Sequence, residues 1–394
     1  MLYALLVTAA TWLLSPSSLI LKIEQAIYDP LQKLTAIDHQ NQLWYEEYEP
    51  ELKDIFCINL DSAFFDLKTD HARRANLANL MDTMAVMPPL AVFLDYYFTS
   101  IDGWKTGNDI LLSKSLRQYG EQLVLPYLAY WEGNPLNDKP RVEQMKLDTN
   151  LLYPPKHRGY FLSLPLPNDD VHRYYSFRSN KKEYHSVVYG FIKAIPGKNL
   201  MRYARKTPAV FEVNHLIRNE HTQSQSSALN IINASELIKN PAKLELLKNK
   251  VVFMGVFNKY TNVNGTAQDF YPTPIQENMS SSMLTLNAYL NVVTNSFFQR
   301  VGDRMVFWFN LFLVLLALFY YHKTRHFKEK PLSLQIGEPL VPILFFFLFL
   351  LLLYWHFHLK FPFVITCIAF IRSIYFFKFF NKLFERVKKW KASN

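Results

Sequence analysis

The chain has 394 residues, half of them apolar, with 43 Lys and Arg against 33 Asp and Glu for a net charge of +10. Residues 322–394 hold twelve of those cations and three of the acids, which leaves residues 1–321 at only +1. A nucleic-acid surface would spread its cations over a folded domain, so nucleic acid is excluded as a partner. Two cysteines, Cys57 and Cys367, exclude a disulfide-stapled module, and without a CxxC, HExxH or His–Cys cluster no metal or cofactor is expected.

Taken in order, residues 1–21 (MLYALLVTAATWLLSPSSLIL) form an apolar run that lacks a basic start and a small-residue cleavage site. They read as an uncleaved transmembrane anchor over 1–22, with Pro16 a point for a kink. Residues 21–34 have apolar positions at helical spacing. IFCINLD (55–61) reads as a strand ending in Asp61, and 71–86 as a helix. LAVFLD (90–95) is a second strand ending in Asp95, followed by a helix at 108–120 and a strand at 121–127. This β-α-β-α-β order predicts an α/β domain with a largely parallel sheet flanked by helices.

Residues 131–160 are rich in Pro, Asn and charge and read as a loop or insertion. A turn into a strand is predicted at 168–177, a helix at 183–195 and a strand at 208–216. Residues 218–230 are a polar connection, and 234–249 a helical approach to the buried strand 250–257. A long loop containing Asp269 covers 258–280. The helix 280–298 then leads to the next apolar block. The region 23–304 is read as one extracytoplasmic domain.

Three apolar runs follow at 305–321, 341–357 and 361–377, each of 17 residues. Each is about 25 Å long as a helix, the short end of what crosses a ~30 Å hydrocarbon core, so flanking residues complete the span. The positive-inside rule puts the basic loop 322–330 and the tail 378–394 in the cytoplasm, and 23–304 outside. The expected architecture is one N-terminal and three C-terminal transmembrane helices (305–377) in a bacterial inner membrane, with the basic tail near anionic lipid. Arg372, in the last run, is read as snorkelling to the cytoplasmic side or pairing with another helix. His356 and His358 are read as interfacial.

The order of these pieces resembles the second type of CHASE domain, the cyclase- and histidine-kinase-associated extracytoplasmic sensory domain. IFCINLDSAFF and LAVFLDYYFT resemble its two strand–Asp elements. GNDILLSKSL, with Asp109, resembles the acid-led helix that follows, and NDDVHRYY its acidic turn running into Arg. KNKVVFMGVF, QDFYPTPI and LNAYLNVVTNSFF resemble its last strand, D-x-x-TP loop and Asn-Ala helix. The sequence departs from the pattern at 284–286, where a His usually precedes the Asn-Ala pair, and at NKYTNVNG after the last strand. The resemblance implies a sensory domain. Relatives continue into a kinase, cyclase or phosphodiesterase module that the tail does not hold, so output is expected from a separate membrane or cytoplasmic protein.

Five residues are the candidate ligand contacts: Asp61, Asp95, Arg173, Asp269 and Thr273. In open α/β sheets ligands bind outside the carboxyl ends of the strands, where Asp61 and Asp95 are predicted to lie on neighbouring strands. The alternative use of such acids is to cap helices or bind loop amides. Arg173 either fixes the acidic turn or meets an anionic ligand. Thr273 with Pro274 shapes a rigid loop. The expected function is a non-enzymatic sensor binding a small-molecule or envelope ligand, possible as a homo-oligomer. The alternatives are an envelope assembly protein, or an envelope enzyme using Asp61 and Asp95.

Overall fold

The computed structural model describes residues 18–35, 42–61, 64, 70–96, 107–127, 159–160, 163–164, 174–178, 185–217, 229–257, 270–274, 276, 279–324, 347–354, 359–360, 364, 366–368 and 386. The chain forms two compact units, Pro30–Phe297 and the two ends, Met1–Asp29 with Phe298–Asn394.

The helices are α1 (Ser18–Thr35), α2 (Gln42–Lys53), α3 (Asp70–Ala85), α4 (Gly107–Arg117), α5 (Val187–Ala194), α6 (Leu200–Lys206), α7 (Ala234–Lys239), α8 (Ser281–Thr294) and α9 (Asp303–Thr324). The strands are β1 (Ile55–Asn59), β2 (Ala91–Leu94), β3 (Leu123–Val124), β4 (Pro126–Tyr127), β5 (Gly159–Tyr160), β6 (Ser163–Leu164), β7 (Tyr174–Ser176), β8 (Val210–Glu212), β9 (Asn230–Asn233), β10 (Val251–Gly255), β11 (Phe270–Tyr271), β12 (Met279–Ser280), β13 (Gln299–Arg300) and β14 (Leu359–Lys360).

Five strands form one parallel sheet in the order β3-β2-β10-β1-β9. β1, β2 and β10 are apolar without alternation because both their faces are buried. Phe56, Ile58, Val92, Leu94, Val252 and Met254 share one core with α3, α4 and α7. Ile55, Cys57, Ala91, Phe93, Val251 and Phe253 share the other with α2, α5 and α8. On that second face Phe191 meets Phe253 edge-on at 4.8 Å, and Tyr289 meets Phe253 at 5.3 Å. Burying one such ring completely contributes about 1.5–3 kcal/mol.

A smaller antiparallel sheet, β6-β7-β8, joins this second face through Tyr175 and Phe211. After β8 the buried segment 213–217 pairs with no strand among the described residues. Gln32 Nε2 donates to Val213 O (3.1 Å), and two side-chain amides of α8 serve five further backbone groups. Asn287 Oδ1 accepts from Leu216 N (2.7 Å) and Ile217 N (2.9 Å), and its Nδ2 donates to Ile217 O (3.0 Å). Asn291 Oδ1 accepts from Asn214 N (2.6 Å) while Nδ2 donates to Asn214 O (2.8 Å). α8 begins at Ser280, whose hydroxyl accepts from Met283 N (3.2 Å), and ends at Asn295 with φ 60°. Asn tolerates that left-handed position well, so the helix stops short of the predicted residue 298.

In the other unit, β13 and β14 pair in parallel, and Val301 N donates to Lys360 O (3.2 Å). Tyr354 stacks on Tyr28 (5.3 Å) and on Phe298 (4.9 Å). Lys360 Nζ lies over the Tyr28 and Phe298 rings at 5.3 and 4.5 Å. Val301, Val306 and Leu350 form a small core beside them. Among the described residues no helix is long and apolar enough to cross a membrane. Of the apolar runs, residues 1–17, 341–346, 355–358, 361–363, 365 and 369–377 lie outside the described residues, as do His356, His358 and Arg372.

Several expectations need correction. α2 and α6 fall where no helix was read. The strand expected at 121–127 is two short pieces, β3 and β4, in different sheets. The helix expected over 234–249 breaks at Pro241, which lacks an amide hydrogen, and resumes as a 3-10 helix over Pro241–Leu247. β9 was missed at the end of a polar stretch. β1 and β2 are not neighbours, because β10 lies between them.

Candidate functional site

The carboxyl edge of the five-stranded sheet gathers two of the five candidate residues. Asp61, two residues past β1, is 8% exposed. Its carboxylate accepts from Ser235 N (3.1 Å) and from the Ser235 hydroxyl. Ser235 is in the first turn of α7, so Asp61 supplies the anion that the positive end of that helix favours. Behind it, buried Asn59 donates to Asn233 Oδ1 (2.8 Å) and accepts from Phe257 N (3.1 Å), tying β1, β9 and the end of β10 together.

Asp95 follows β2 directly and is half-buried. Its amide donates to Met254 O (2.7 Å). Oδ2 accepts from Ser281 Oγ (2.7 Å) and Ser282 Oγ (2.6 Å), both in the first turn of α8. Each acid therefore holds the start of a different helix, with one strand between them. At ~4.8 Å per strand, β1 and β2 lie about 10 Å apart. The strand between ends at Gly255, where a methyl group would overlap Ser282 Oγ and stand 3.0 Å from Asp95 Cβ. Only glycine lets α8 start this close to the sheet.

The route of the chain makes this edge special. From β1, β2 and β9 it turns to the face covered by α3, α4 and α7, whereas from β10 it leads to α8 on the opposite face. The exits of β10 and its two neighbours thus diverge around Gly255. Ligands of open α/β sheets bind outside strand ends that diverge in this way.

Thr273 is placed differently. It is buried, and its hydroxyl and amide close a turn with Gln276 through bonds of 2.7 to 3.1 Å. Arg173 and Asp269 lie outside the described residues, as does the side chain of Asp109. Cys57 sits in the core, where burial pushes its thiol well above the ordinary range and leaves it a packing residue. Among the described residues no group of three His, Cys, Asp or Glu is arranged to hold a metal ion.

Serines 235, 281 and 282 and Asn59 and Asn291 carry no sequence signal of their contacts, and Asn287 is legible only as the Asn of the Asn-Ala pair. A serine run at 280–282 before an apolar helix signals an N-terminus. Nothing local says that the carboxylate serving it comes from 186 residues away.

A family model described as the CHASE2 domain matches residues 3–320. The chain belongs to the CHASE2 domain family. No characterised protein and no solved structure gives a match. CHASE2 domains are extracytoplasmic sensory domains, and the two strand–Asp elements are here the two helix anchors. The Asn-Ala pair of CHASE2 is Asn287, which completes the 213–217 segment, and fully buried Ala288.

Proposed function

We propose that this CHASE2 chain is a membrane-anchored sensor in which a ligand at the strand ends around Gly255 repositions α8, and a separate protein takes up the signal. The observation that carries this reading is the pair of hydroxyl bonds from Ser281 and Ser282 to Asp95. One carboxylate both lies at those strand ends and fixes the helix that leads out of the domain. A polar or cationic ligand that competes for Asp95 removes that anchor. α8 is followed after eight residues by α9, which contains the apolar run 305–321.

The apolar runs at both ends serve as the anchor, and the basic loop 322–330 and tail 378–394 are the cytoplasmic surfaces offered to the output partner. Phe298, four residues after α8, joins the Tyr28–Tyr354 stack and Lys360, which gives a displaced α8 a route toward residues 347–360. The chemistry assigned to Asp61 and Asp95 is binding and positioning, without a catalytic step.

The test uses the full chain in lipid nanodiscs and hydrogen exchange read by mass spectrometry. Asp95→Ala is expected to speed exchange in the first turns of α8 and also in 298–324. In cells, a photo-crosslinker in the 378–394 tail is expected to capture a membrane or cytoplasmic partner. Faster exchange confined to α8, with no partner captured, contradicts the signalling reading.

A further inference from the structure

Residues 187–207 contain five cations and no acid: Lys193, Lys198, Arg202, Arg205 and Lys206. This stands out in a region, 1–321, whose net charge is only +1 with these five included. Lys193, Arg202, Arg205 and Lys206 are exposed.

α6 sorts these residues by face. Leu200, Tyr203 and Ala204 turn inward, half-buried or buried. Met201, Arg202, Arg205 and Lys206 fall within about 140° of arc on the other side. Met201 is 60% exposed, an apolar tip among cations. Helix stability accounts for only part of this charge. Arg205 and Lys206 suit the negative carboxyl end of the helix, but Arg202 is in its first turn and Lys198 just ahead, where the dipole disfavours cations. Arg202 and Lys206, four apart, also repel each other. Lys198 is partly accounted for, since Glu51 and Asp54 act on it and its Nζ lies over Tyr203 and Tyr289. Of the other four, Lys193 lies in the last turn of α5 and Arg205 and Lys206 in that of α6, so Arg202 alone opposes the helix field, yet all four stand exposed together.

The same tyrosine locates the patch along the chain. Tyr289 belongs to α8, and its ring centre is 5.5 Å from Lys198 Nζ. From the end of α8 to α9 there are eight residues, a reach of at most about 28 Å. An exposed helix face that pairs cations with an apolar side chain is the chemistry of a membrane-surface contact.

We propose that the exposed face of α6 is a docking surface for the anionic headgroups of the bilayer in which the chain is anchored, with Met201 entering the headgroup layer. It rests on the membrane-anchored reading above. Contact of this kind sets the orientation of the sensory domain and makes it depend on lipid charge and salt.

The test labels Met201→Cys with an environment-sensitive fluorophore in the full chain carrying Cys367→Ser; Cys57 is buried and does not react. The chain is placed in nanodiscs of phosphatidylcholine alone or with phosphatidylglycerol, and quenching by neutral acrylamide is measured. Quenching is expected to fall at least about fivefold in the anionic discs, the factor that one of the exposed cations would contribute alone near such a surface. High salt, or Arg202→Gln with Arg205→Gln and Lys206→Gln, is expected to abolish the difference. Equal quenching in both discs overturns the proposal and leaves the anchor reading standing. Failure of the chain to enter discs overturns both. A label protected in native membranes but not in anionic discs means that an acidic protein covers this face, which also overturns it.

Discussion

Replacing Gly255 by alanine tests the approach of α8 to the sheet most locally. The new methyl overlaps Ser282 Oγ and comes within 3.0 Å of Asp95 Cβ, so the first turn of α8 must move away from the sheet. Overpacking of this kind costs about 1–3 kcal/mol. Loss of the Ser282–Asp95 bond, 2.6 Å long and to a carboxylate, adds about 1.5–3 kcal/mol. The sum, roughly 2.5–6 kcal/mol, is a large part of the 5–15 kcal/mol typical of a domain. Hydrogen exchange on the full chain reads it as a loss of protection in α8. Adding Ser282→Ala removes the overlapped oxygen and leaves contacts at 3.0 Å, so the double variant is expected to recover more than 1 kcal/mol. A Gly255→Ala chain with unchanged α8 protection, or a double variant no better than the single one, refutes the close approach described here.

Three further substitutions separate the parts. Asn287→Leu leaves the amides of Leu216 and Ile217 and the Ile217 carbonyl without partners, at about 1–3 kcal/mol each, and those amides are expected to exchange at least 100-fold faster. Asp61→Asn is expected to cost about 1–2 kcal/mol and to loosen α7 alone, because Asp61 holds Ser235 and not α8; matching changes in α8 count against two independent anchors. Lys360→Met keeps the backbone pairing with Val301 but removes the cation from two rings, a loss of about 1–2 kcal/mol, and Val301 is expected to exchange faster.

What the sequence revealed was the part that is local. The apolar runs at 55–58, 90–94 and 251–255 mark buried parallel strands because no polar residue interrupts them. Their order in the sheet depends on pairing across nearly 200 residues, and so β10 entering between β1 and β2 had no local signal. β9 escaped because its ends are exposed asparagines and it lies at the sheet edge. The capping use of strand-end acids was readable as a possibility at Asp61 and Asp95. Which helix each one holds was not, since the partners are 174 and 186 residues away. Asn287 reads as a polar interruption in an apolar helix until the 213–217 backbone is laid beside it.

The side of the membrane that the sensory unit occupies decides whether it can act as an extracytoplasmic sensor. Cysteine accessibility in intact cells measures this directly, in a Cys367→Ser chain with Val86→Cys, a position 74% exposed in the α/β unit, or with Asn394→Cys at the basic tail. A membrane-impermeant maleimide is expected to label position 86 at once and position 394 only after the cells are permeabilised. Labelling of position 394 from outside, or protection of position 86 until permeabilisation, contradicts an extracytoplasmic sensor anchored with its basic tail inside.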